Sequence, residues 1–249
     1  MTISEIRTIL SQDDVAEELL QEILSDERKG VKTLVGSYMK RLERKSRERL
    51  RVESMYDVES RFYQEGLTHI VGIDEVGRGP LAGPVTVAAV ILPPHWFCAK
   101  KVTPKHREEI AAKIYESALD VSVVSLSPEE IDAVNIYEAT MMAMYQAVKN
   151  LTVSPEAVIV DAMPLHFNCP TESLIHGDAK SASVAAASIV AKVYRDHLMD
   201  EYDRQYPGYG FAQNKGYGTA EHIAALKTLG ITPIHRKSFE PVKSMVLGK

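Results

Sequence analysis

His69-Ile70-Val71-Gly72-Ile73-Asp74-Glu75-Val76-Gly77-Arg78-Gly79-Pro80 is the stretch from which the fold can be read. Its β-branched, apolar run from His69 to Asp74 predicts a strand. The strand ends in two adjacent carboxylates and then meets two glycines around an arginine. Charge is costly at the end of an apolar segment unless something there uses it. Alternation along a strand puts Asp74 and Glu75 on opposite faces. Both can serve one site only if the strand frays or bends after Asp74, and Gly77 and Gly79 are consistent with that.

Working outward, Gly83-Pro84 punctuates the chain before a second strand, Pro84–Leu92. Thr103-Pro104 opens a helix to about Leu119, with Thr103 as cap and Pro104 at the first helical position. Val121–Leu126 reads as a third strand, and Ser127 with Glu130 as a capping box. A helix follows over Asn135–Asn150, then a strand, Ala157–Asp161, apolar up to its final Asp, which predicts burial on both faces. Ser173–Ile175 reads as a short fifth strand. Ala182–Tyr206 reads as a long helix whose small residues, Ala185-Ala186-Ala187-Ser188, let it lie close to a sheet. A last helix spans residues 219 to 229. Strands alternating with helices predict an α/β protein with a mixed sheet flanked by helices.

Before Gly66 the character differs. Glu5–Leu24 and Leu34–Tyr63 carry spaced apolar residues, many charges and no proline, which predicts a helical extension over residues 1–66 ahead of the domain at 67–249. Arg28 to Arg51 holds ten basic residues against two acidic ones, a net +8 in a chain whose overall charge is −5. Such a block attracts phosphate, or it is a solvated helix face. Two cysteines, Cys98 and Cys169, make neither a disulfide framework nor a zinc site. No run of about 18 apolar residues occurs, and the N-terminus lacks a signal-peptide pattern, so a cytoplasmic protein with no membrane partner is expected.

Asp74, Asp161 and Asp178 all follow apolar segments, and Glu75 adjoins the first. If these ends are neighbours, the four like charges need protons or cations between them. All-oxygen ligands select hard ions, Mg²⁺ or Mn²⁺, and the chemistry that suits such ions is two-metal phosphodiester hydrolysis. Gly77, Arg78 and Gly79 let backbone groups approach a ligand, with Arg78 able to fork onto a phosphate. Tyr217 stands between Gly216 and Gly218, on a turn that Thr219 caps into a helix. An exposed aromatic there can stack on a sugar or base. His222 and His235 stay outside this set.

The series Ile73-Asp74-Glu75-Val76-Gly77-Arg78-Gly79-Pro80-Leu81-Ala82-Gly83-Pro84 resembles the N-terminal signature of the type 2 ribonucleases H, the bacterial ribonuclease HII family. Val160-Asp161-Ala162-Met163, Gly177-Asp178, Ser183–Val193 with Arg195-Asp196, Gly216-Tyr217-Gly218-Thr219 with His222, and His235-Arg236 follow in the family's order, over about residues 68 to 245. The resemblance implies an RNase H-like fold with C-terminal helices. It implies metal-dependent endonuclease cleavage of the RNA strand of RNA–DNA hybrids. It also implies incision 5′ of a single ribonucleotide embedded in duplex DNA, leaving 5′-phosphate and 3′-hydroxyl ends. The partners would then be RNA–DNA hybrid and ribonucleotide-containing duplex DNA, and the enzyme a monomer. The resemblance makes Asp74, Glu75, Asp161 and Asp178 the catalytic, metal-holding acids. It gives ribonucleotide reading to Gly77, Arg78, Gly79 and Tyr217. Where the family shows N-D-S-K-K, this chain reads Cys98-Ala99-Lys100-Lys101, so only Lys100 and Lys101 carry over as substrate contacts. His176 replaces the usual lysine before Gly177-Asp178, and Asp196 reads as structural.

Overall fold

The computed structural model describes residues 1–12, 14–94, 96 and 104–248. Thr103, Lys100 and Lys101 lie outside the described residues. The chain divides into two compact units, Met1–Glu53 and Ser54–Lys249.

The first unit is helical. The helical stretch expected over Glu5–Leu24 is divided between α1 (Ile3–Ser11) and α2 (Glu17–Leu24), and α3 (Lys29–Ser54) follows. Thr2 and Glu5 close a capping box on α1. Ile6, Leu10, Ile23, Val31 and Tyr38 form the unit's small core. Arg41 folds back onto it, donating to the carbonyls of Leu10 and Gln12 at 2.6 and 2.8 Å. The second predicted helix, Leu34–Tyr63, is interrupted after Ser54, and α4 (Asp57–Gln64) goes with the second unit.

There α4 packs Phe62, with Val58 and Tyr63, against Ile70, Ala157, Ile159 and Val184. Its Glu59 is 1% exposed. That carboxylate accepts from the Ser181 and Ser183 hydroxyls at 2.6 and 2.7 Å and from the Ser183 N–H at 3.0 Å. The next elements are β1 (Ile70–Val76), β2 (Val85–Ile91), α5 (Pro104–Ser117), β3 (Asp120–Leu126), α6 (Pro128–Val134) and α7 (Ile136–Lys149). They lead to β4 (Ala157–Asp161), β5 (Thr171–Leu174), α8 (Gly177–Lys180) and α9 (Ala182–Gln205). Three short helices close the chain: α10 (Phe211–Asn214), α11 (Ala220–Leu229) and α12 (Val242–Val246). The predicted Ser127–Glu130 capping box and Thr219 cap are both made.

The five strands form one mixed sheet in the order β3-β2-β1-β4-β5. β1 is central, antiparallel to β2 and parallel to β4. Odd-numbered positions of β1, with Val85, Val87, Val158 and Val160, face a core closed by α7. The opposite face is covered by α9, with Ala186, Ala187, Val190 and Ala191 packed on Ala88 and Val90. The small residues of α9 bring its backbone onto the sheet. A Cβ at Gly72 would stand 2.0 Å from the Ser183 carbonyl carbon, so only glycine fits there. Both faces of β4 are buried from Ala157 to Val160, as its apolar run requires.

Candidate active site

β1 does not end at Asp74. Its ladder with β2 continues unbroken through Glu75↔Val87 to Val76↔Thr86. The expected bend after Asp74 is absent, because β2 supplies partners two residues further than the apolar run suggests. The pleat therefore sorts the two acids to opposite faces. Asp74 lies on the α9 face, where the Ser188 hydroxyl donates to it. Glu75 lies on the α7 side, where Arg78 Nη1 meets its Oε1 at 3.2 Å and also approaches Met163 Sδ.

Asp161 joins them from β4. β1 and β4 pair in parallel up to Ile73↔Val160, so one step further Asp161, the last residue of β4, stands beside Asp74 within β1. The charge of Asp161 acts on both Asp74 and Glu75. Ala162, at φ 44°, turns the chain away at once, a strained conformation for alanine. The Gly177 N–H then donates to Asp161 Oδ1 at 2.7 Å. This places Asp178, exposed in the first turn of α8, one residue from the group that holds Asp161.

Like charges this close repel, and each of the first three carboxylates rests on a local donor. Among the described residues, no three acidic, histidine or cysteine side chains close on one point as a ready-made cage. The electrostatics still mark the site. Burial, with added pushes from Glu75 and Asp161, raises the Asp74 carboxyl to about 7 against its hydrogen bonds from Ser188 and the Glu75 N–H. Burial also raises Glu75, opposed by Arg78. Glu75 Oε2 is buried with no hydrogen-bond partner. An orphaned carboxylate oxygen that feels the Asp161 charge is a donor that suits a hard divalent cation, with Asp74 turned to the other face of the same strand.

Beside the acids, Gly77 takes φ 92°, and a Cβ there would stand 2.2 Å from Arg195 Nε and 2.8 Å from the Pro84 carbonyl. Both its conformation and its surroundings demand glycine. Tyr217 is 46% exposed, as its place between glycines predicts. Its ring edge lies 3.6 Å from where a Cβ would stand at Gly79. Gly77–Gly79 and Tyr217, 138 positions apart at Gly79, thus share one surface next to Glu75. Arg78 contacts Glu75 while its side chain stays 40% exposed.

Residues that carried no role in the sequence reading hold these loops. Arg195 and Arg236 are both 0% exposed. Arg195 donates to the carbonyls of Ala82, Pro84 and Lys215 at 3.2, 2.9 and 2.9 Å. Arg236 donates to Gly77, Arg78 and Gly83 at 2.5 to 3.0 Å. Burial lowers the two guanidinia to about 10 and about 9, still cationic at neutral pH. His222 and His235, also buried, bond to each other through Nε2 at 3.0 Å. Asp196 pairs with Lys192 on α9 at 2.6 Å, in keeping with a structural part.

Known proteins resemble the chain over nearly its whole length. The ribonuclease HII family model matches residues 71–242, and the model of the ribonuclease HII N-terminal domain matches residues 2–63. The chain is 51% identical over 253 residues to the ribonuclease HII of Ligilactobacillus salivarius, covering 99% of this chain and 98% of that one. Among solved structures, the ribonuclease H2 of Pyrococcus horikoshii OT3 superposes with a TM-score of 0.62 at 24% identity, over 71% of this chain and 96% of that one. The Mn²⁺ complex of Bst-RNase HIII superposes with a TM-score of 0.53 at 21% identity, over 74% and 71%. Near-complete coverage at half identity, with the fold shared by more distant ribonucleases H, settles the matter: the chain belongs to the ribonuclease HII family and is a type 2 ribonuclease H acting on RNA–DNA hybrids.

Proposed function

We propose that the enzyme also incises duplex DNA 5′ of a single embedded ribonucleotide, leaving 5′-phosphate and 3′-hydroxyl ends. The carrying observation is the packing of Tyr217 over Gly79, with Glu75 three residues before Arg78 and in contact with it. Only the 2′-hydroxyl distinguishes a ribonucleotide within duplex DNA. A glycine loop and a tyrosine edge can read a sugar without reading a base. The Gly77 and Arg78 carbonyls are taken by Arg236, which leaves the loop's N–H groups as its donors.

Asp74, Glu75, Asp161 and Asp178 would hold Mg²⁺ or Mn²⁺ ions. Bound there, such ions supply Lewis-acid chemistry, acidifying a water and stabilising a departing oxygen. The protein's own part is positioning. Ser188 and the Glu75 N–H orient Asp74, the Gly177 N–H orients Asp161, and Arg78 offsets part of the charge on Glu75. Hydrolysis is read as direct, with no covalent enzyme intermediate. We read the enzyme as a cytoplasmic monomer. Lys100 and Lys101 remain proposed substrate contacts, on the family resemblance.

A duplex carrying one ribonucleotide, incubated with Mg²⁺ or Mn²⁺, tests the reading. The expected result is one nick 5′ of the ribonucleotide, lost in Asp74→Asn while duplex binding survives. Tyr217→Ala is expected to lose at least tenfold on this substrate and far less on continuous hybrid. No nick with either metal overturns the reading, as does equal cutting of an all-DNA duplex.

A further inference from the structure

His222 and His235 form a hydrogen-bond chain whose direction is fixed at both ends. At one end His222 Nδ1 lies 2.9 Å from the Tyr217 carbonyl oxygen, which can only accept. His222 is therefore protonated on Nδ1. Its Nε2 must then accept from His235 Nε2, 3.0 Å away. That leaves His235 Nδ1 as an acceptor, and it receives the Thr232 N–H at 2.9 Å, with the Thr232 hydroxyl at 2.8 Å. The two rings are 0% and 1% exposed, enclosed by the rings of Tyr209 and Phe211.

Another proton would break the chain's order. A cationic His235 would lose the Thr232 N–H as a donor to Nδ1 and set the two N–H groups against each other, with only the Thr232 hydroxyl left to accept. A cationic His222 would set its Nε2–H against that of His235. Burial lowers both imidazoles, His235 to about 4. The titratable and charged neighbours offer no counter-charge. The Tyr209 hydroxyl donates to the Gly230 carbonyl. Arg236, next in sequence to His235, spends its guanidinium on Gly77, Arg78 and Gly83. Among the described residues no carboxylate pairs with either histidine.

His235 and Arg236 thus hold opposite sides of one gap. Through His222, His235 fixes the Tyr217 backbone, while Arg236 fixes the carbonyls of Gly77 and Arg78. Their own backbone is pinned to the same loop: the Arg236 N–H donates to Leu81 O at 2.8 Å and the Gly83 N–H to Ile234 O at 2.9 Å. We infer that His222, His235 and Arg236 are positioning residues that set the spacing between Tyr217 and the Gly77–Gly79 loop. On the proposed reading of Tyr217 as the ribonucleotide contact, they thereby set the preference for a single ribonucleotide over a continuous RNA strand.

The experiment compares kcat and KM on the two substrates for His222→Phe, His222→Asn and Tyr217→Ala in the full chain. Phenylalanine keeps the ring shape and removes both nitrogens. Asparagine keeps a donor at the position of Nδ1. His222→Phe is expected to lower the ratio of single-ribonucleotide incision to hybrid cleavage about tenfold, and His222→Asn to restore most of it. A destabilised fold that left Tyr217 in place would lower both rates and keep the ratio. As pH falls from 8 to 5.5 the wild-type ratio is expected to hold steady, since the neutral pair resists protonation and the carboxylates act on both substrates alike.

If Tyr217→Ala shifts the ratio and neither His222 variant does, the inference fails while the reading of Tyr217 stands. If Tyr217→Ala leaves the ratio unchanged, the reading fails and the inference with it. Nitrogen-15 spectra of the histidines in the unaltered protein give a check that needs no variant to fold. His222 is expected as the Nδ1–H tautomer and His235 as the Nε2–H tautomer at pH 7. Both rings in the same tautomer, or either cationic at that pH, overturns the inference.

Discussion

In α3, Arg47 pairs with Glu43 at 2.6 Å, Arg49 with Glu53 at 2.7 Å and Arg51 with Glu48 at 2.8 Å, each within one helical turn. In the second unit, Arg195 and Arg236 are wholly buried, and among the described residues they donate to backbone carbonyls. The same side chain thus meets water and a local carboxylate in one region, and distant peptide oxygens in the other. Exposed pairs of the first kind contribute about 0.3–0.5 kcal/mol each, because solvent screens them. A guanidinium of the second kind satisfies several buried acceptors at once, and each would cost roughly 1–3 kcal/mol if left bare. Sequence-local charge is therefore replaceable here, and sequence-distant charge is not.

Three changes probe that contrast. Arg236→Met should cost the most, roughly 3–5 kcal/mol, since it strands the carbonyls of Gly77, Arg78 and Gly83. Urea unfolding measures it, and a cost below about 1 kcal/mol would erase the distinction. Asp74→Asn should act in the other direction. The folded carboxyl stands at about 7, above its usual 3.8. Its contribution to stability is then fully present below about pH 4 and is lost as pH rises through 7. In chelator at pH 8 the variant should be more stable than the parent by on the order of 2–4 kcal/mol, and at pH 4 the two should agree. Thermal melting at both pH values decides this, and no gain at pH 8 would show that Asp74 ionises without strain.

The smallest effect belongs to the basic block. Converting Lys40 and Arg44 to Gln should change stability by no more than about 0.5 kcal/mol. If the block touches duplex phosphate, the slope of log affinity against log salt should fall by about 0.9 for each contact removed. An unchanged slope returns the block to a solvated helix face. Glu43 and Glu48, already counted in the +8, pair with Arg47 and Arg51, while Glu53 beyond the segment pairs with Arg49 and Arg41 is drawn onto its own unit's core.

The four longer strands were legible in the sequence because each carries an apolar run, whereas β5, Thr171-Glu172-Ser173-Leu174, begins two residues before the expected Ser173; the acids were legible because they follow apolar segments. The bend after Asp74 was misjudged because a strand's length depends on its neighbour. Thr86 and Val87 lie on β2, and nothing in the residues from Asp74 to Val76 announces them. Arg195, Arg236, His222 and Glu59 were invisible as anchors for a related reason. Arg236 meets the Gly83 carbonyl across 153 positions, and a carbonyl leaves no trace in a sequence. The short helices α8, α10 and α12 span four or five residues, too few to show a period. The break at Ser54 passed unseen in a region without proline.

Gly72 lies two residues before Asp74, and the Ser183 backbone it touches lies five before Ser188. Peptide against peptide leaves no side chain to yield between helix and strand. The bed that carries Asp74 and its hydroxyl donor is in effect an anvil, too stiff to shear when a nucleic acid strand presses on it. Compliance in the working enzyme then belongs to the glycine-rich rim, and differences in how substrates fit should be felt there first.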